Sequence, residues 1–138
     1  MNPPGPYSEA GLVEAPALEL LAELGWEVAN AWSETFGPAG TLGRDSMHEV
    51  VLVHRLRDAI RFLNSVVPEL IREEALQAVT KDRSVMDRVR ANREVHTLLR
   101  DGYRAEWTDD RGDKRVATVR FVDFHDSTKN DWLAASQV

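Results

Sequence analysis

The hydrophobic period of this chain changes at Gly102. Before it, apolar residues recur every three or four positions; after it, they alternate with polar ones. A helix buries a stripe and a strand buries one face, so the two periods demand different partners. A chain carrying both folds as helices packed on a small mixed or antiparallel sheet, an α/β (α+β) protein. Tyr103, Ala105 and Trp107 alternate with polar residues, Asp109 to Asp113 supply a turn, and Val116 to Asp123 alternate again. Residues 103–124 are therefore predicted to form a β-hairpin.

The helical part divides at its breakers. Leu12, Val13, Ala17, Leu20, Leu21 and Leu24 form a first stripe from Ser8 onward, with glutamates between them. Pro16 lies inside this run and either kinks the helix or begins its main body, because proline has no N–H to donate. Gly25 reads as the stop. Trp26 to Trp32 reads as a short strand, and Ser33 to Ser46, with Gly37, Pro38, Gly40 and Gly43, as a loop. Met47 to Leu63 is predicted helical on Val50, Val53, Leu56, Ile60 and Leu63. Pro68 opens a helix to about Val79, and another runs from about Val85 to Arg100 with Val89, Val95, Leu98 and Leu99 inward. Residues 47–100 are thus mainly helical. Trp132 to Val138 is predicted to form a further strand, and an unpaired strand at a chain end is a liability. Its position suggests a chain cut within a sheet.

The 138 residues suit one domain, and 43% hydrophobic with 29% charged residues allow a buried core. Residues 1–7 are expected to be a disordered tail and residues 8–138 the folded part. No cysteine is present, which excludes a disulfide scaffold or zinc–thiolate site and fits a reducing cytoplasm. No signal segment and no apolar run near the length of a membrane span is evident, so the expected location is cytoplasmic, without a membrane partner.

Charge is uneven around a net −6. Residues 1–43 hold six glutamates and no Lys or Arg, whereas residues 44–105 hold 12 basic and 10 acidic residues. An acidic chain is not an evident nucleic-acid binder, so DNA binding is expected to be weak or absent. Of 17 basic residues, only Lys81, Lys114 and Lys129 are lysines.

Several motifs are incomplete. Gly37 to Arg44 is glycine-rich but ends in Gly43-Arg44-Asp45, without the Gly-Lys-Ser/Thr of a phosphate-binding P-loop. His48-Glu49 begins like a zinc-protease helix, but Leu52 stands where the second histidine belongs. Asp123, His125 and Asp126 read as a polar loop, and His96 as a packed or capping histidine. No metal or cofactor site is assigned. Nucleases of the PD-(D/E)xK class use carboxylates to hold Mg²⁺ and a lysine two residues after one of them to orient water. The residues two before the three lysines are Val79, Gly112 and Ser127, so that pair is missing.

Four segments, in order, resemble the start of type I restriction R subunits. They are Ser8 to Trp26; Leu42-Gly43-Arg44 with Glu49-Val50-Val51-Leu52, Leu63-Asn64 and Pro68; Asn92 to Gly102; and Val119 to Phe124 with Asn130 to Gln137. Order and spacing across Ser8 to Val138 carry the resemblance. It implies a DNA-cleaving, ATP-driven subunit that uses Mg²⁺ and ATP in full length. Its partners would be modification and specificity subunits and double-stranded DNA, with the recognition sequence read by the specificity subunit. The chain departs from the family pattern by ending before the metal-binding acid, the Glu-x-Lys pair and the P-loop, so by itself it is expected to be inactive. The resemblance also implies that Glu14, just before Ala15-Pro16, is an auxiliary carboxylate facing the nuclease centre; the plain alternative is a solvated helix glutamate. A different class of function is a stand-alone interaction module built on the arginine-rich helices, with Arg83, Arg88, Arg90, Arg93 and Arg100.

Overall fold

Pro16 begins the main body of the first helix. In the computed structural model, which describes residues 8–137, the chain from Ala10 to Glu14 forms a π-helical turn and α1 follows at Ala15–Glu23. Pro16 cannot donate to the Leu12 carbonyl, and its ring crowds the preceding turn, which matches the wider winding there. The helix ends as the glycine requires. Gly25 takes φ +89°, its N–H donates to the Ala22 carbonyl (3.0 Å), and the Trp26 N–H donates to the Leu21 carbonyl (3.0 Å). This pair of bonds satisfies carbonyls that a helix end otherwise leaves unpaired.

The other described elements are β1 (Glu27–Asn30), α2 (Val53–Leu63), α3 (Glu69–Thr80), α4 (Arg88–Asp101), β2 (Tyr103–Thr108), β3 (Lys114–Val119) and β4 (Leu133–Ser136), with a 3₁₀ turn at Ser127–Lys129. The α+β class holds, and the strands pair as two separate ribbons. β2 and β3 are antiparallel, with Tyr103 opposite Val119 and Thr108 opposite Lys114. β1 and β4 are parallel, with Glu27 opposite Leu133 and Asn30 opposite Ser136. None of the described helices is long and apolar enough to cross a membrane.

Two compact units result: Met1–Leu52 with Asp131–Val138, and Val53–Asn130. The second unit has a continuous core in which Ile60 from α2, Ile71, Ala75 and Leu76 from α3, and Ala105 and Val119 from the hairpin pack with Val67 and Phe121. Asn64, also buried, ties the α2 end to the hairpin. Its Nδ2 donates to the carbonyls of Ile60 (2.7 Å) and Arg120 (2.8 Å), and its Oδ1 accepts from the Arg120 N–H (2.8 Å). A buried amide with all these partners costs little to keep and much to remove. Gly102 ends α4 at φ +83°, and a Cβ there would lie 2.7 Å from the Val119 carbonyl oxygen, so the turn into β2 needs glycine.

The structure corrects several boundaries. Met47 to Leu52 is not helical; the predicted helix starts six residues late, at Val53, and Val50 is 92% exposed. The Glu49 carbonyl, which a helix would offer to Val53, accepts instead from Arg44 Nη1 (3.1 Å). The predicted Val85 start of α4 moves to Arg88, where the Asp87 carboxylate accepts from the Arg90 N–H (2.9 Å) and caps the helix. Val89, expected inward, is exposed. β3 stops at Val119, so residues 120–124 extend beyond the ladder. The predicted tail at residues 1–7 lies outside the described residues.

Candidate functional site

The parallel ribbon of the first unit gathers the first and last of the family-like segments. Glu14 ends the π-helical turn, and its Oε2 accepts from Gln137 Nε2 at 2.7 Å across 123 residues of sequence. Gln137 directly follows β4, so the contact sits at the carboxyl end of that strand. Because β1 runs parallel, its own carboxyl end lies alongside: Asn30 pairs with Ser136, and the Ala31 N–H donates to the Ser136 carbonyl (2.9 Å). Ligand sites of open parallel sheets lie beyond the carboxyl ends of their strands. At the opposite end of the ribbon, Trp26 and Trp132 stack with ring centroids 4.9 Å apart and planes 27° apart. That stack fixes the register before the chain reaches Glu14 and Gln137, since stacked aromatic pairs add to burial.

Glu14 is only partly exposed, and its carboxylate is held by the neutral Gln137 amide. An amide donor leaves the carboxylate its charge and its other lone pairs. No Lys or Arg occurs in the first 43 residues to neutralise it from the same segment. The geometry therefore presents an oriented carboxylate at the end of a parallel ribbon.

The loop after β1 is held by an ion pair that no sequence motif announces. Arg44 donates through Nε and Nη2 to the two oxygens of Glu34 (2.8 and 2.7 Å), with side chains 5% and 6% exposed. The fork-to-carboxylate fit holds the Glu34 carboxyl below the usual carboxylate range and raises the Arg44 guanidinium. Glycine spacing hides this pair; the available signal is a lone arginine in the Leu42-Gly43-Arg44 segment, ten residues from a glutamate. The same loop contains Gly37 and Gly43 at positive φ, as an ordinary turn with its one basic side chain already occupied.

Other candidates resolve into local structure. Asp123 Oδ1 accepts from the N–H groups of His125 and Asp126 (both 2.9 Å), and Asp126 Oδ1 accepts from Thr128 N–H (3.1 Å) and Oγ1 (2.5 Å). These bonds hold both carboxyls below their ordinary values and commit them to the turn. Among the described residues, no group of three or more His, Asp or Glu side chains is arranged to hold a metal ion. His48 stands outside any helix, and His96 is exposed on α4 rather than packed.

Residues 6–138 match the family described as type I restriction enzyme R protein N terminus. The type I restriction enzyme HindI endonuclease subunit of Haemophilus influenzae (strain ATCC 51907 / DSM 11121 / KW20 / Rd) is 33% identical over 126 residues, which cover 91% of this chain and 12% of that protein. No solved structure matches the chain.

Proposed function

The chain belongs to the type I restriction enzyme R protein N-terminal family, and from that premise we propose that residues 8–138 form the beginning of the nuclease domain of a DNA-cleaving, ATP-driven restriction subunit. The observation that carries this reading is the Glu14–Gln137 hydrogen bond at the carboxyl end of the β1–β4 ribbon. It brings the first and last family-like segments to the edge where a parallel sheet places its chemistry.

In the complete subunit, a bound Mg²⁺ would supply Lewis-acid chemistry for phosphodiester cleavage, and ATP would drive translocation. The described residues of this chain do not form a metal site by themselves, and the chain contains no acid two residues before a lysine. No cleavage step is therefore assigned to its side chains. Glu14 acts as an auxiliary carboxylate. It orients water or tunes the field beside the centre, and Gln137 holds its direction. Double-stranded DNA and the modification and specificity subunits are the partners of the complete assembly.

The test is made in the full-length R subunit assembled with its partners. Glu14→Gln keeps the shape and removes the charge. It is expected to reduce DNA cleavage about tenfold, as removal of an outer-shell partner does, while ATP hydrolysis stays normal. Cleavage at the normal rate would reduce Glu14 to a solvated helix residue. The 138-residue chain alone is expected to show neither Mg²⁺-dependent cleavage nor ATP hydrolysis.

A further inference from the structure

The arginines of the second unit are not all alike. Arg57 pairs with Glu73 (2.7 Å), Arg61 and Arg72 share Glu69 (both 2.6 Å), and Arg115 meets Asp109 (2.8 Å). On α4, Arg100 is matched by Asp101 (2.7 Å), but the matching fails at Arg90 and Arg93. Arg90 and Arg93 have no carboxylate within ion-pairing distance among the described residues. The one acid on their face, Glu94, is already engaged by Lys81 at 2.6 Å and approached by Arg83 at 3.6 Å. Arg83 in turn is committed to the end of α3, donating to the carbonyls of Ala78 (2.6 Å) and Val79 (3.0 Å).

These residues border a cleft of about 530 Å³ between α4, the end of α3 and the start of β2. It is a groove largely open to solvent, not an enclosed pocket. Arg90, Arg93, Glu94, Thr97 and Leu98 are spaced along α4 by three and four residues and so share one face. Lys81 and Ala78 come from α3 and its end, and Tyr103 from β2. The lining combines apolar Ala78 and Leu98 and aromatic Tyr103 with three bases and one acid, in a chain whose net charge is −6. A solvated charged face would interleave acids among its bases; here the single acid among the lining residues is taken up by Lys81, which leaves Arg90 and Arg93 beside apolar residues. Guanidinium forks match phosphate oxygens, and aromatic and aliphatic floors accept the face of a base.

We propose that this cleft is a nucleotide-binding site, in which Arg90 and Arg93 hold a phosphate and Leu98 and Tyr103 receive the base. A single strand of nucleic acid and a free nucleotide are the two sources of that chemistry. The site does not depend on the nuclease reading, because it lies within residues 78–103 and uses neither Glu14 nor a metal.

The probes are a ten-residue oligothymidylate and free thymidine monophosphate, added to the isotope-labelled 138-residue chain at low salt. Amide signals of Thr97, Leu98 and Tyr103 are expected to shift with the oligonucleotide. Similar shifts with the mononucleotide identify a free nucleotide as a sufficient ligand, and shifts with the oligonucleotide alone identify a strand. The double variant Arg90→Gln/Arg93→Gln is expected to bind the oligonucleotide about tenfold more weakly. The slope of log affinity against log salt should become shallower by about 0.7 for each phosphate that is no longer neutralised. Arg111→Gln, at the hairpin turn, should change binding less than about twofold, as loss of one remote surface charge does. Three results would overturn the proposal: no shift at these amides with either probe at millimolar concentration, equal loss in Arg111→Gln, or shifts as strong with an oligoglutamate of matched charge.

Discussion

The two units of this protein are built on opposite principles. Val53–Asn130 closes an apolar core of eight buried residues, with Asn64 as the one buried polar residue among those described there. The unit of Met1–Leu52 and Asp131–Val138 buries only Ala31 and Leu42 among its described apolar residues, beside Arg44 and Ser136. Its α1 has no buried residue, and Leu12, Leu20, Val28, Trp32, Phe36 and Val51 are exposed. A hydrophobic stripe is thus sufficient to wind a helix, but burial needs a second surface. Among the described residues of the first unit, backbone pairing, the Trp26–Trp132 stack and the buried Glu34–Arg44 ion pair contribute to order.

This contrast can be broken by removing what each unit relies on. Ile60 is 1% exposed at the centre of the second unit. Ile60→Ala is expected to destabilise that unit by about 3 kcal/mol, from lost burial and the cavity left behind. A urea midpoint that hardly moves would show that its core is not the cooperative centre described. Asn64→Ala should cost about 2 kcal/mol, because the Arg120 N–H and carbonyl lose buried partners. Hydrogen exchange at Arg120 and its hairpin neighbours should accelerate with it.

The first unit should respond to pH instead. Pairing with Arg44 lowers the folded-state titration of Glu34 below its unfolded value. The stabilisation is therefore present at neutral pH and is lost as pH falls through the carboxylate range. Exchange protection in the loop 31–50 should drop over that window while the amides of α3 stay protected, and Glu34→Gln should abolish the pH step. If α3 opens in the same step, the two units are one cooperative structure and the contrast fails. The smallest effect is expected at Val50, 92% exposed although it sits on the predicted stripe. Val50→Ser should change stability by no more than about 0.5 kcal/mol. A larger loss in thermal melting would restore Val50 to a buried face.

Several features are legible in the sequence alone. Gly25 and Gly102 stop their helices, Pro68 precedes α3, and the hairpin turns at Asp109 to Asp113 because these residues carry local conformational and hydrogen-bonding preferences. The family is legible too, in the order of four short segments. Glu14 is singled out only through the family resemblance, and its hydrogen-bond partner is not legible at all, since Gln137 lies 123 residues away and nothing local marks the pair.

The sequence by itself determined where most helices and strands form, through period, proline and glycine, because those effects act over a few neighbouring residues. Only the tertiary structure decided which apolar residues are covered, that β1 pairs in parallel with β4, and that Arg44 takes the Glu49 carbonyl away from a predicted helix. It also decided that two bases of α4, Arg90 and Arg93, line a cleft with one acid among its lining residues. Each of those outcomes depends on groups far apart in the chain meeting at a few ångströms, where hydrogen bonds and burial outweigh the small local preferences that a pattern reports.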